Sequence, residues 1–151
     1  MNSSLSNVLC YQQANLRTPP KIEDIYEILT HQNVYFSKEL GKVALERYWD
    51  TFIADAFLGN FERLTNDWGY LVKNNVNEIK LAPVYDCGSC LYPQISDELS
   101  AEILNSKEEI QKLIDKIPQA TLTLADGTKA NYKKYISSFE NQDCTDALLR
   151  V

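Results

Sequence analysis

Three acidic residues in glycine-bounded segments are this chain's candidates for chemistry. Glu62 and Asp67 lie in Gly59-Asn60-Phe61-Glu62-Arg63-Leu64-Thr65-Asn66-Asp67-Trp68-Gly69, and Asp86 lies in Ala82-Pro83-Val84-Tyr85-Asp86-Cys87-Gly88-Ser89. Between them, the apolar runs 69–73 and 79–83 flank an asparagine-rich stretch from Asn74 to Glu78, the pattern of a small hairpin. Pairing about a centre near residue 76 sets residues whose numbers sum to about 152 opposite one another, so Asp67 comes beside Tyr85 and Asp86. Glu62, one loop upstream, can lean over the same spot. Carboxylates gathered without a matching Arg or Lys cluster repel, and such a gathering is usually tolerated around a hard divalent cation. Mg²⁺ fits best, because it takes one or two protein carboxylates and completes its shell with water and substrate phosphates. Acids in such loops are otherwise commonly solvated surface residues.

The rest of the chain supplies the elements that would hold these loops. Ile22, Ile25, Tyr26, Ile28 and Leu29 recur at helical spacing between Lys21 and His31, after a boundary at Pro19-Pro20. Ser37 is a plausible N-cap for a longer helix with the stripe Leu45, Trp49, Phe52, Ile53, Ala56 and Phe57, which Gly59 would end. Asp97 to Lys116 reads as one or two amphipathic helices ending at Pro118. Thr121 to Leu124 alternates into the Asp126-Gly127 turn, and Tyr132 to Phe139 and Thr145 to Arg150 read as closing helices. The expected fold is mainly α, a single domain over residues 1–151 whose first twenty residues are a polar N-terminal segment.

The two acidic segments resemble motifs of one family. The run from Gly59 to Gly69 is similar to the catalytic loop of HipA-like serine/threonine kinases, of the form G-N-x-D-R-H-x-x-N-W-G. The run from Ala82 to Ser89 resembles that family's A-P-x-Y/F-D-x-G-S, its counterpart of the protein-kinase D-F-G. Tyr132 to Ser138 and Cys144 to Arg150 also look familial, so the resemblance extends from about Glu39 to the end. It implies a kinase-like C-lobe in which a small hairpin carries the active-site motifs. Glu62 stands where the family has its catalytic Asp, which accepts the proton of the substrate hydroxyl. Asp67 stands where it has a metal-binding Asn, Leu64 where it has His, and Asp86 matches the principal Mg²⁺ ligand.

The implied cofactors are Mg²⁺ and ATP, and the implied reaction is phosphoryl transfer to a protein serine or threonine, as in the kinases of bacterial toxin–antitoxin pairs. Such kinases hold ATP between two lobes, whereas the residues before Glu62 read as helical, without a glycine-rich loop or a strand-borne lysine. The expected partners are therefore a separate N-lobe or an antitoxin protein, together with a protein substrate. Self-association through the face an N-lobe would cover is also expected. The alternatives are a degenerate pseudokinase lobe that binds a protein without transferring phosphate, and a helical structural protein that inherited the fold.

Composition narrows the classes. Over 151 residues, 21 Asp+Glu against 15 Lys+Arg gives a formal charge of −6, which disfavours phosphate backbones and anionic membranes and excludes autonomous nucleic-acid binding as an expectation. No apolar run approaches a membrane span or the core of a secretory signal, so a cytoplasmic location is expected. Cys87-Gly88-Ser89-Cys90 has the C-x-x-C form of a zinc or redox pair, but Cys10, His31 and Cys144 are scattered singly and complete no four-ligand set. The pair reads as a by-product of the Asp86-Cys87-Gly88 motif. His31, the only histidine, is expected to cap a helix end rather than serve a nucleophile.

Overall fold

A serine and a glycine delimit the longest helix. Ser37 Oγ accepts from the Leu40 amide at 3.1 Å and starts α2 (Lys38–Leu58), and Gly59, in the left-handed region at φ 69°, ends it. Glycine alone takes that conformation without steric cost, and a Cβ there would also press on the Tyr92 ring at 3.4 Å. The computed structural model describes residues 8–10, 21–30, 37–64, 67–72, 79–115 and 119–151. Pro19-Pro20, His31, the hairpin turn from Asn74 to Glu78 and Pro118 lie outside the described residues.

Around α2 the elements follow in the order β1 (Val8–Cys10), α1 (Ile22–Thr30), α2, β2 (Gly69–Val72), β3 (Ile79–Leu81), α3 (Asp97–Leu104) and α4 (Lys107–Asp115). The chain continues with β4 (Gln119–Thr123), β5 (Lys129–Asn131), α5 (Tyr132–Ser138) and α6 (Gln142–Arg150). The helices from Asp97 are therefore two, broken at Asn105-Ser106, where Ser106 Oγ accepts from the Glu109 amide and caps the second. Side-chain caps also start α3, α5 and α6, from Ser96, Asn131 and Asn141.

α2 packs against α1, α5 and α6 and carries the core. Trp49 is fully buried, its ring parallel to that of Tyr135 and edge-on to those of Tyr48 and Phe52. Ile25 of α1, Leu122 of β4, Tyr132 of α5, and Cys144 and Ala147 of α6 close the same cluster. Each large apolar side chain withdrawn from water in this way contributes roughly 1.5–3 kcal/mol. Because α2 is covered on several sides, its buried residues include Gly41, Thr51 and Asp55, well off any single stripe.

Two small antiparallel sheets complete the fold. β4 and β5 form a hairpin around the Asp126-Gly127 turn, its second strand Lys129–Asn131 not read from the sequence, with Asp126 Oδ1 accepting from the Thr128 amide at 2.9 Å. β2 pairs with β3 through Tyr70 opposite Leu81 and Leu71 opposite Lys80. Partner numbers thus sum to 151, one less than the sequence suggests. The stretch before Pro19 corrects an expectation: it is not merely a polar start, because Val8–Cys10 adds to β2 as a third strand in the order β1-β2-β3. A three-residue run carries too little alternation to be read as a strand, and the free edge of β2 selects it. No helix among the described residues is long and apolar enough to cross a membrane.

Candidate active site

The loop that leaves α2 is built on a carboxylate that α2 itself buries. Asp55 lies four residues before Gly59, only 4% exposed, and its carboxylate is the anchor for the next turn of chain. Asn60, completely buried, donates Nδ2–H to Asp55 Oδ1 at 2.8 Å, and its amide donates to the Asp55 carbonyl at 2.9 Å. Arg63 meets the same carboxylate with two prongs, Nε to Oδ2 at 2.8 Å and Nη2 to Oδ1 at 2.9 Å. The hydrogen bond to Asp55 is the largest influence raising the pKa of the guanidinium, so Arg63 stays charged although it is 7% exposed. Between these anchors Phe61 is half-buried and Glu62 points outward, exposed.

The same two side chains reach the Asp86 segment. Arg63 Nη1 donates to the Tyr85 carbonyl and Nη2 to Cys87 Sγ at 3.6 Å, and Ser89 Oγ donates to Asn60 Oδ1. Asp86 therefore sits between two tethered neighbours. Its backbone is in the left-handed region at φ 56°, which a non-glycine residue holds only when its surroundings impose it.

Asp67 closes the loop from the other side. Its Oδ2 accepts from the Leu64 amide at 2.6 Å, its own amide donates to the Leu64 carbonyl at 3.1 Å, and the residue is 9% exposed. Burial is the main cause that raises its pKa. The Leu64 amide opposes this, while Asp86 adds to it both as a like charge and as a hydrogen-bond partner. The antiparallel strands β2 and β3 connect Asp67 with the Asp86 segment, and the Asp86 carboxylate acts on that of Asp67. Asp67 also borders a small cleft lined by Arg47, Thr51, Trp68, Pro83 and Val84.

Among the described residues no three Asp, Glu, Cys or His side chains come together as a metal cluster, so Glu62 stands apart from the Asp67–Asp86 pair. The loop's outward turn between its two buried anchors, Asn60 and Arg63, explains this. Leu64, at the position of the family's histidine, is exposed. Two hard carboxylates at close range, one of them desolvated, are the donor set that a divalent cation favours and that two bare acids disfavour. The Cys87-Gly88-Ser89-Cys90 turn gathers no further ligand among the described residues, and Cys87 instead turns its sulfur to Arg63.

Four residues of this site escape a reading centred on the acids: Asp55, Asn60, Arg63 and Ser89. The available signal is Asp55 itself, an acid within the run Phe52, Ile53, Ala56 that otherwise marks the buried face of α2. Asp55 lies off the phase of that stripe, so only its place among those apolar residues hints at burial, and Arg63 is the first cation downstream that could pair with it.

The chain is similar to a known protein in sequence and in fold. No protein-family model matches the chain. The serine/threonine-protein kinase CtkA of Helicobacter pylori is 42% identical over 104 residues, 69% of this chain and 32% of the relative. The crystal structure of CtkA, described as a proinflammatory kinase of Helicobacter pylori, superposes with a TM-score of 0.77 at 37% identity, covering 87% of this chain and 46% of that one. The chain therefore spans about a third of the curated relative's length and under half of the solved chain. Over that span it is homologous to a serine/threonine-protein kinase and shares its fold.

Proposed function

We propose that this chain is the C-terminal lobe of a HipA-like protein serine/threonine kinase, completed by an N-lobe that holds the nucleotide. The observation that carries the proposal is the bridge that Arg63 and Asn60 build from the loop presenting Glu62 to the Asp86 segment, with the Asp67 carboxylate fixed on the Leu64 amide of the same loop. The homology to CtkA supports kinase chemistry rather than a purely binding role.

In this reading Asp67 and Asp86 hold Mg²⁺, which when bound neutralises charge on the phosphoryl group in transit. Asp67 offers the oxygen that is not engaged by the Leu64 amide, so its orientation is fixed before any ligand arrives. Asp86, exposed, would supply the second carboxylate. Glu62 accepts the proton of the substrate hydroxyl at a side-chain oxygen, a role that suits an exposed carboxylate on a loop pinned at both ends. Its extra methylene relative to Asp moves that oxygen outward, and a misplacement of about 1 Å can lower a rate ~10²-fold. The substrate class is a protein serine or threonine, and a cytoplasmic setting with an antitoxin-like partner goes with it.

The test is transfer of label from γ-labelled ATP to protein serine or threonine by this chain joined to the part of CtkA it does not match. Label should appear, vanish in Glu62→Gln and Asp86→Ala, and increase in Glu62→Asp. Undiminished label in Asp86→Ala, or none from a chimera that binds ATP, contradicts the proposal.

A further inference from the structure

We infer that Asp55, a residue of α2 outside the chemistry itself, is the positioning residue that fixes the Asp86 segment relative to the Glu62 loop, acting through Arg63 and Asn60. The inference rests on the reading of Asp67 and Asp86 as cation ligands. Its physical content is a count of tethers. Asp86 has one anchored neighbour on each side, the Tyr85 carbonyl held by Arg63 and the Ser89 hydroxyl held by Asn60. Glu62 likewise lies between Asn60 and Arg63. Both side chains, Asn60 and Arg63, lead back to the two oxygens of one carboxylate through three hydrogen bonds.

Three features make this a positioning device and not a general stabilising contact. Asp55, Asn60, Arg63 and Ser89 are 4%, 0%, 7% and 5% exposed, so water offers these groups no substitute partner. The guanidinium is planar, which puts the Asp55 oxygens and the Tyr85 carbonyl in one fixed fork; a lysine at 63 keeps the charge and loses the fork. Asp86 is held at φ 56°, a conformation that Asp adopts more readily than most residues but that still costs energy, so slack in either tether lets it relax. The loop's far side is pinned separately: Thr121 Oγ1 donates to the Arg63 carbonyl, and Tyr132 OH to the Asn60 carbonyl at 3.4 Å. Movement therefore falls on the Asp86 side. Partners that orient metal ligands in this way are typically worth 10–100-fold in metal affinity.

The experiment is a titration of the full chain with Mn²⁺, which takes the same oxygen ligands as Mg²⁺, followed by electron paramagnetic resonance well below each variant's melting temperature. The wild type should bind the ion, and Asp86→Ala should not. Arg63→Lys should bind it about 10-fold more weakly while remaining folded, with a changed Mn²⁺ line shape. Ser89→Ala removes a single tether from a turn, should weaken binding about threefold, and decides the matter should Arg63→Lys not fold. Wild-type affinity in folded Arg63→Lys and Ser89→Ala overturns the inference and leaves the proposed function standing. Absence of Mn²⁺ binding in the wild type, or undiminished binding in Asp86→Ala, overturns the cation reading and the inference with it.

Discussion

Replacing Asp55 by Asn asks how much of the fold hangs on one buried carboxylate. Asp55 Oδ1 accepts from Asn60 and Arg63, and Oδ2 accepts from Arg63 Nε. An amide in its place keeps one acceptor and turns an NH₂ toward a partner that can only donate. The Arg63 guanidinium, 7% exposed, is then left without a counter-charge. Removing one member of a buried pair costs about 3–5 kcal/mol, a large fraction of the roughly 5–15 kcal/mol by which such domains are stable. At about 2–4 °C per kcal/mol for a domain of this size, the melting temperature should drop by roughly 6–20 °C. Urea unfolding gives the loss directly as a shift in midpoint at constant slope. The internal control is Asp50→Asn, which breaks the 2.7 Å pair with Arg150 on the surface and should leave the midpoint unmoved. Equal midpoints for Asp55→Asn and Asp50→Asn would refute the claim that burial makes the first pair different.

Further expectations follow from single features. Gly59→Ala should lose about 1–2 kcal/mol in the same urea assay, because the left-handed φ of 69° now carries a Cβ set against the Tyr92 ring. Burial pushes the Cys144 thiol up to about 11 from its ordinary 9.0. Between those values the unfolded chain releases a proton the folded chain keeps, so stability is full below pH 9 and falls as pH rises toward 11. Thermal melts across that range should show the decline, and Cys144→Ala should flatten its first part, before the tyrosines whose pKa burial also raises begin to ionise in the unfolded chain. Glu62→Gln, at an exposed position, should keep the wild-type midpoint within about 0.5 kcal/mol while lowering phosphoryl transfer ~10²–10⁴-fold in the chimera.

Local signals and long-range pairings differ in how far the sequence reveals them. Ser37 and Gly59 mark the ends of α2 because capping is decided by one residue's own side chain or φ. The β2–β3 hairpin and the Asp126-Gly127 turn between β4 and β5 are legible because each is set within a short stretch of chain. β1 is not, because Val8–Cys10 becomes a strand only where β2 offers an edge about sixty residues away. The acids at 62, 67 and 86 stand out by type, yet their spacing does not reveal that Asn60 and Arg63, on either side of Glu62, are drawn to Asp55. That network has no spacing rule of its own. It becomes visible only once α2 is covered on several sides and Asp55, off its apolar stripe, is buried with Arg63 and Asn60.

The central claim is that Asp67 and Asp86 form one divalent-cation site serving phosphoryl transfer. Calorimetric titration of the full chain with Mg²⁺ tests it most directly. The account predicts binding in the wild type that is retained, more weakly, in Asp67→Asn, since the amide keeps an oxygen for the ion, and is lost in Asp86→Ala. Binding that survives Asp86→Ala unchanged, or a wild-type chain that takes up no Mg²⁺, would contradict it.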